Sequence, residues 1–88
     1  MTPEAAAALE DIRGLSKAGR VDILPHAWKQ MLERGVEVRD VLLVLRTATE
    51  CAEDKEPGKW LVSGHDLDGD RLRMVVAIEG DVVVVTVF

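Results

Sequence analysis

The sequence predicts an α+β fold, with N-terminal helices packed on a small antiparallel sheet of three or four strands. Three observations carry that reading. Apolar residues recur every three or four positions up to residue 48, then alternate from Lys59 to the end, so the side-chain period changes from helical to extended. Proline and glycine stand where helices should start and stop. And 88 residues suffice for one core only, because a chain of this size buries roughly 60% of its unfolded surface. The expectation is a single domain over residues 1–88, with an N-terminal helix at 1–21, a helical part at 22–48 and antiparallel strands at 59–88.

Thr2 is placed to cap the first helix, with Pro3 at its first position and Glu4 in its first turn. Ala5 to Leu9 are strong helix formers, Leu9, Ile12 and Leu15 make a stripe, and Gly19 supplies a stop. Residues 21–24 read as a short extended link, because Pro25 disfavours helical backbone at Leu24 and itself suits the opening turn of a second helix. That helix spans residues 26–34 and ends at Gly35. Ala27, Met31 and Trp28 are its inward positions, while His26, Gln30 and Arg34 line one side at i, i+4 and i+8. A third helix, over 38–48, has Val38, Val41, Leu42, Leu45 and Ala48 as its buried stripe, widened by Leu43 and Val44.

Residues 49–58 are acidic and broken by Pro57 and Gly58, and read as a solvated connection. Beyond it Trp60, Val62 and Gly64 alternate with Leu61, Ser63 and His65. A turn from Asp66 to Asp70 leads to a strand at 71–78, with Leu72, Met74, Val76 and Ile78 on one face and Arg71 and Arg73 on the other. Glu79, Gly80 and Asp81 turn the chain into a last strand, 82–88. Its Val82, Val84 and Phe88 are expected on one face and Val83, Val85 and Val87 on the other. Apolar on both sides, it reads as central or doubly covered, and at an open edge it would invite aggregation. Helices are therefore expected on one sheet face, with a partner or a second copy over part of the other, which makes a homodimer a candidate.

There are 11 Lys and Arg against 16 Asp and Glu, a net charge of -5. This balance excludes coating of nucleic acid by bulk charge, which needs clustered cations. The one cysteine, Cys51, excludes an internal disulfide framework and a cysteine-rich zinc site. No apolar run reaches the roughly 18 residues of a membrane span, and the N-terminus has no signal-peptide core. A cytoplasmic protein with no membrane partner is expected.

Asp66, Asp68 and Asp70 begin like a calcium loop, but Arg71 stands where that loop needs glycine and Ala77 where it needs a bidentate Glu. An Asp- and Gly-rich hairpin turn accounts for them better. His26, His65 and Cys51 lack zinc-ligand spacing, so no metal and no cofactor is assigned. No serine elbow or phosphate loop occurs, and the acidic neighbours of Cys51 work against a thiolate. What remains is basic: His26 and Arg34 on one helix side, Lys59 opening a strand, Arg71 and Arg73 on one strand face. Such a set can steady a phosphodiester and move its protons. It can equally form surface ion pairs, which need no function.

Four stretches carry a family resemblance: His26 to Val36, where the pair Arg34-Gly35 follows the histidine; Asp40 to Leu45; Trp60 to Asp70; and the valine-rich close from Val82 to Phe88 with Thr86. Over roughly residues 20–88 the chain resembles a bacterial family catalogued as domain of unknown function family 4258. That family is similar to the RelE-like and MqsR-like toxin folds of toxin–antitoxin pairs, whose genes often neighbour a zinc-finger antitoxin. The resemblance implies a RelE/MqsR-like fold and an mRNA endoribonuclease that needs no metal. It implies His26 and Arg34 as catalytic groups, with Lys59, Arg71, Arg73 and Thr86 holding RNA phosphate. Its implied partners are mRNA and a zinc-finger antitoxin. A second reading is a non-catalytic protein-interaction module that binds a partner through its sheet; the acidic balance favours it, as does Gln30, which stands where the family usually has Arg.

Overall fold

The computed structural model describes residues 1–88. Thr2 opens helix α1, Pro3–Lys17, its hydroxyl oxygen accepting the Ala5 N–H at 3.1 Å. Ala5, Ala8, Leu9, Ile12 and Ser16 form the buried stripe, and Leu15 lies at its margin. The helix ends at Lys17, short of the expected residue 21, because Gly19 turns the chain at φ +76°. That backbone region carries no steric penalty for glycine.

The link at 21–24 is in fact a strand, β1, Val21–Ile23. It hydrogen-bonds in parallel to the last strand of the chain, a pairing too short and too distant in sequence for periodicity to reveal. Helix α2, Pro25–Arg34, buries Ala27 and Met31, but Trp28 is 43% exposed rather than inward. Helix α3, Val38–Thr47, buries Val41, Val44 and Leu45, while Val38 is 37% exposed and Leu42 half-buried. The stripe is rotated toward Val44 because α3 packs on α1 and on the sheet together. Asp40 is buried at the start of α3, where its carboxylate accepts the Glu37 N–H at 3.0 Å and the Leu67 N–H at 3.3 Å, tying a sheet turn to the helix.

The solvated connection at 49–58 also hides a strand, β2, Glu50–Glu53, antiparallel to the next. Cys51 points to the core while Glu50 and Glu53 stay in water. The acidity that argued for a loop is how an edge strand resists pairing with other chains. Strands β3, Lys59–His65, β4, Arg71–Ile78, and β5, Val82–Val87, follow as the alternation predicts. The sheet order is β1-β5-β4-β3-β2. The sheet is therefore mixed and five-stranded, rather than antiparallel with three or four strands.

All three helices pack on one face. Val62, Leu72, Met74, Val76, Val82, Val84 and Val87 meet Ile12, Met31, Val41, Val44 and Leu45 in one cluster. Gly64 lets α3 come close: a Cβ there would lie 3.1 Å from a Val44 methyl. No helix is long and apolar enough to cross a membrane. Ser16 is fully buried and its hydroxyl has no hydrogen-bond partner. Burying an unpaired hydroxyl costs about 1–3 kcal/mol. Ser16→Ala is therefore expected to raise unfolding stability in urea by about 1 kcal/mol; a loss of stability would contradict the assignment.

Candidate functional site

The sheet face away from the helices is open, and strand register decides which side chains it presents. Lys59, Ala77 and Val83 form one row; Leu61, Val75 and Thr86 the next; Ser63 and Arg73 a third; His65 and Arg71 a fourth. A β-bulge sets the second row. Val76 pairs with Val84 and Val75 with Thr86, so Val85 is the extra residue. The bulge reverses the alternation beyond it. Val87 therefore joins Val82 and Val84 in the core, instead of sharing the face of Val83 as simple alternation requires.

Lys59 and Thr86 meet at a depression of about 210 Å³ on this face, together with Val75, Val85, Phe88 and the acidic loop at 54–56. The Lys59 ammonium is hydrogen-bonded to the Glu56 carboxylate. That bond, reinforced by the charges of Asp54 and Glu79, holds its pKa above the usual lysine value. Lys59 is thus a fixed cation at neutral pH and not a proton donor. Arg73 stands at the rim: its guanidinium carbon lies 5.3 Å from the centre of the Phe88 ring, a cation–π contact. The Arg73 carbonyl accepts the Phe88 N–H at 2.9 Å. Arg71 lies further along the face, paired with Glu50 at 3.2 Å.

On the helix side of the sheet, α2 packs against β5. Beyond residue 84, β5 has no strand on the β1 side. Gln30 fills that place, its side-chain oxygen accepting the Val87 N–H at 2.8 Å. Gln30 is thus a hydrogen-bond cap for an otherwise free strand donor. His26 and Arg34, one turn to either side of Gln30, are exposed and form no ion pair.

The structure thus gathers Lys59, Thr86 and, through Phe88, Arg73. It sets Arg71 on the same face but neutralised, and no contact joins His26 or Arg34 to the depression. His65, exposed at the end of β3, lies abreast of Arg71 on the open face. Within the turn that follows β3, carboxylate oxygens of Asp66, Asp68 and Asp70 lie within 4.8 Å of one another. Asp66 Oδ1 already accepts the N–H groups of Asp68 at 3.0 Å and Asp70 at 2.9 Å, which is ordinary turn chemistry. Cys51 is buried, and that burial pushes its thiol pKa up, away from nucleophilic use.

Fold and site define a small α+β domain with three helices on one face of a five-stranded mixed sheet and a charged, partly apolar opposite face. The chain belongs to the family described as Domain of unknown function (DUF4258), whose model matches residues 23–88, from the end of β1 through β5. No match was found among curated proteins or solved structures.

The Gln30 cap is directly testable. Gln30→Ala is expected to cost about 1 kcal/mol and to speed hydrogen exchange at the Val87 amide, whereas Gln30→Glu, which keeps an acceptor, should hold the exchange rate near the parent value. Equal protection of Val87 in all three proteins would show that the bond carries no weight.

Proposed function

We propose that the protein is a toxin-type endoribonuclease of a toxin–antitoxin pair, with a RelE/MqsR-like arrangement and metal-independent cleavage of mRNA. The observation that carries this reading is the depression on the open sheet face, where Lys59, Thr86 and the Arg73–Phe88 pair stand together in a chain of net charge -5. Lys59 and Arg73 hold a backbone phosphate and offset its charge in the transition state. The Thr86 hydroxyl donates to a phosphate oxygen, and the Phe88 ring offers a surface on which a base stacks. Arg71 extends the phosphate track along β4 once RNA competes with Glu50.

The reaction needs an activated nucleophile and a protonated leaving group. A base takes the proton of the ribose 2'-hydroxyl, and the oxygen attacks the adjacent phosphorus. The P–O5' bond breaks, the 5' oxygen is protonated, and a 2',3'-cyclic phosphate remains. His26 is the proton-transfer group in this reading, since its imidazole carries one ring nitrogen that can accept a proton and one that can donate, and Arg34, on the same side of α2, steadies the phosphate. A zinc-finger antitoxin would cover the open face and mask it.

A second reading is a non-catalytic module that binds a protein partner through its sheet. It is favoured by the pairing of Lys59 with Glu56 and of Arg71 with Glu50, and by the use of Gln30 as a backbone cap.

Expression of the chain alone separates the two. The ribonuclease reading expects growth arrest, and cleavage of purified RNA in the presence of EDTA leaving cyclic-phosphate ends. His26→Ala and Arg34→Ala should each lower cleavage at least a hundredfold, as loss of a general acid–base group does, with unchanged thermal midpoints. Harmless expression of a folded protein that leaves RNA intact would exclude the ribonuclease and leave the docking module.

A further inference from the structure

A different surface, on the margin of the sheet beside the helices, is built to accept a strand. β1 is an edge strand. The Arg20 carbonyl bonds to Val82 and the Leu24 N–H to Val84, so both ends of β1 turn these groups toward β5. Backbone groups alternate in direction along a strand, and those of Val21 and Ile23 therefore point away from the sheet, unpaired by any other strand. Beside this edge runs a groove of about 420 Å³. Ile23, Trp28, Val38 and Leu42 supply its apolar lining, with Arg46 as a charged member. Trp28 at 43% and Val38 at 37% exposure are two of the few large apolar side chains that the fold leaves in water. The opposite edge is different: β2 keeps Glu50 and Glu53 exposed, which discourages an added strand.

We propose that the β1 edge and the Trp28–Val38–Leu42 groove bind an extended segment of a partner protein in which a Lys or Arg stands between two apolar residues. Alternation fixes this chemistry. Val21 and Ile23 pack toward the core while Asp22 is exposed on the open side of the sheet. An added strand alternates in the same sense, so its apolar residues enter the groove beside Ile23 and its intervening residue lies next to Asp22. The net charge of -5 favours the same basic partner. A second copy of this chain fits less well. The two-fold pairing that uses all three residues of both edges sets Asp22 opposite Asp22, and like charges directly opposite are destabilising. The proposal is independent of what the open sheet face does.

The test titrates a blocked hexapeptide of alternating Val and Lys into the isotope-labelled full chain. The expected result is amide shift changes concentrated at Val21 and Ile23 and at the Trp28 indole, with at least tenfold slower hydrogen exchange at the Val21 and Ile23 amides. Asp22→Lys should weaken binding at least tenfold, and a Val and Glu hexapeptide should recover it. Trp28→Ala, which removes an exposed side chain, should weaken binding of the original peptide without unfolding the protein. Shifts confined to other surfaces would overturn the proposal, as would equal binding of the Lys and Glu peptides to the parent chain. Protection of Val21 and Ile23 that grows with protein concentration alone would also overturn it, and would assign the edge to a second copy.

Discussion

Everything in this fold depends on housing β5. Val82, Val83, Val84 and Val87 are all buried within one strand, and each valine kept from water contributes about 1.5–3 kcal/mol relative to exposure. Such a strand needs a neighbour along each edge and cover on each face. β4 supplies one edge along its length, and β1 the other from Val82 to Val84. Where β1 ends, the chain turns at Pro25 into α2, and Gln30 satisfies the Val87 donor that a longer β1 would have taken. The helices cover one face. On the other, Val75, Ala77 and Val83 are buried although no helix lies over them.

This asymmetry divides the labour of the two faces. The helix side is closed by mainly apolar contacts, with Ser16 and Asp40 as buried polar exceptions, and holds the single core. The open side mixes buried valines with the long side chains of Lys59, Arg73 and Arg71, the groups that can meet an anion. The bulge at Val85 serves both needs. It keeps Val87 in the core and turns Thr86 outward beside Lys59, which strict alternation from Val82 would not do.

Much of this was legible from residues alone. Pro25, Gly35 and the apolar spacing marked α2 and α3, and the alternation from Lys59 onward marked the three long strands. β1 and β2 were not legible, for two different reasons. β1 is three residues long and gains its identity from a partner at the far end of the chain, so no local pattern records it. β2 has the charge expected of a loop, and only its buried Cys51 betrays the strand. The candidate site was legible as a set of cations but not as an arrangement. Sequence could not say that Arg71 is held by Glu50 or that Arg73 lies over Phe88, because both depend on which side chains the sheet brings abreast, whereas the Lys59–Glu56 pair is local, three residues apart across a turn. The family's match covers residues 23–88 and so leaves out all of α1 and most of β1.

The most direct test of the division between the faces is a titration of the labelled protein with a short single-stranded RNA, modified at its 2'-hydroxyls so that it cannot be cut, followed by amide and side-chain shifts. The account predicts changes at Lys59, Arg73, Thr86 and Phe88, diminishing with added salt, and none at the buried α1 and α3 positions. A footprint on α1 or α3, or no response at low salt, would contradict it.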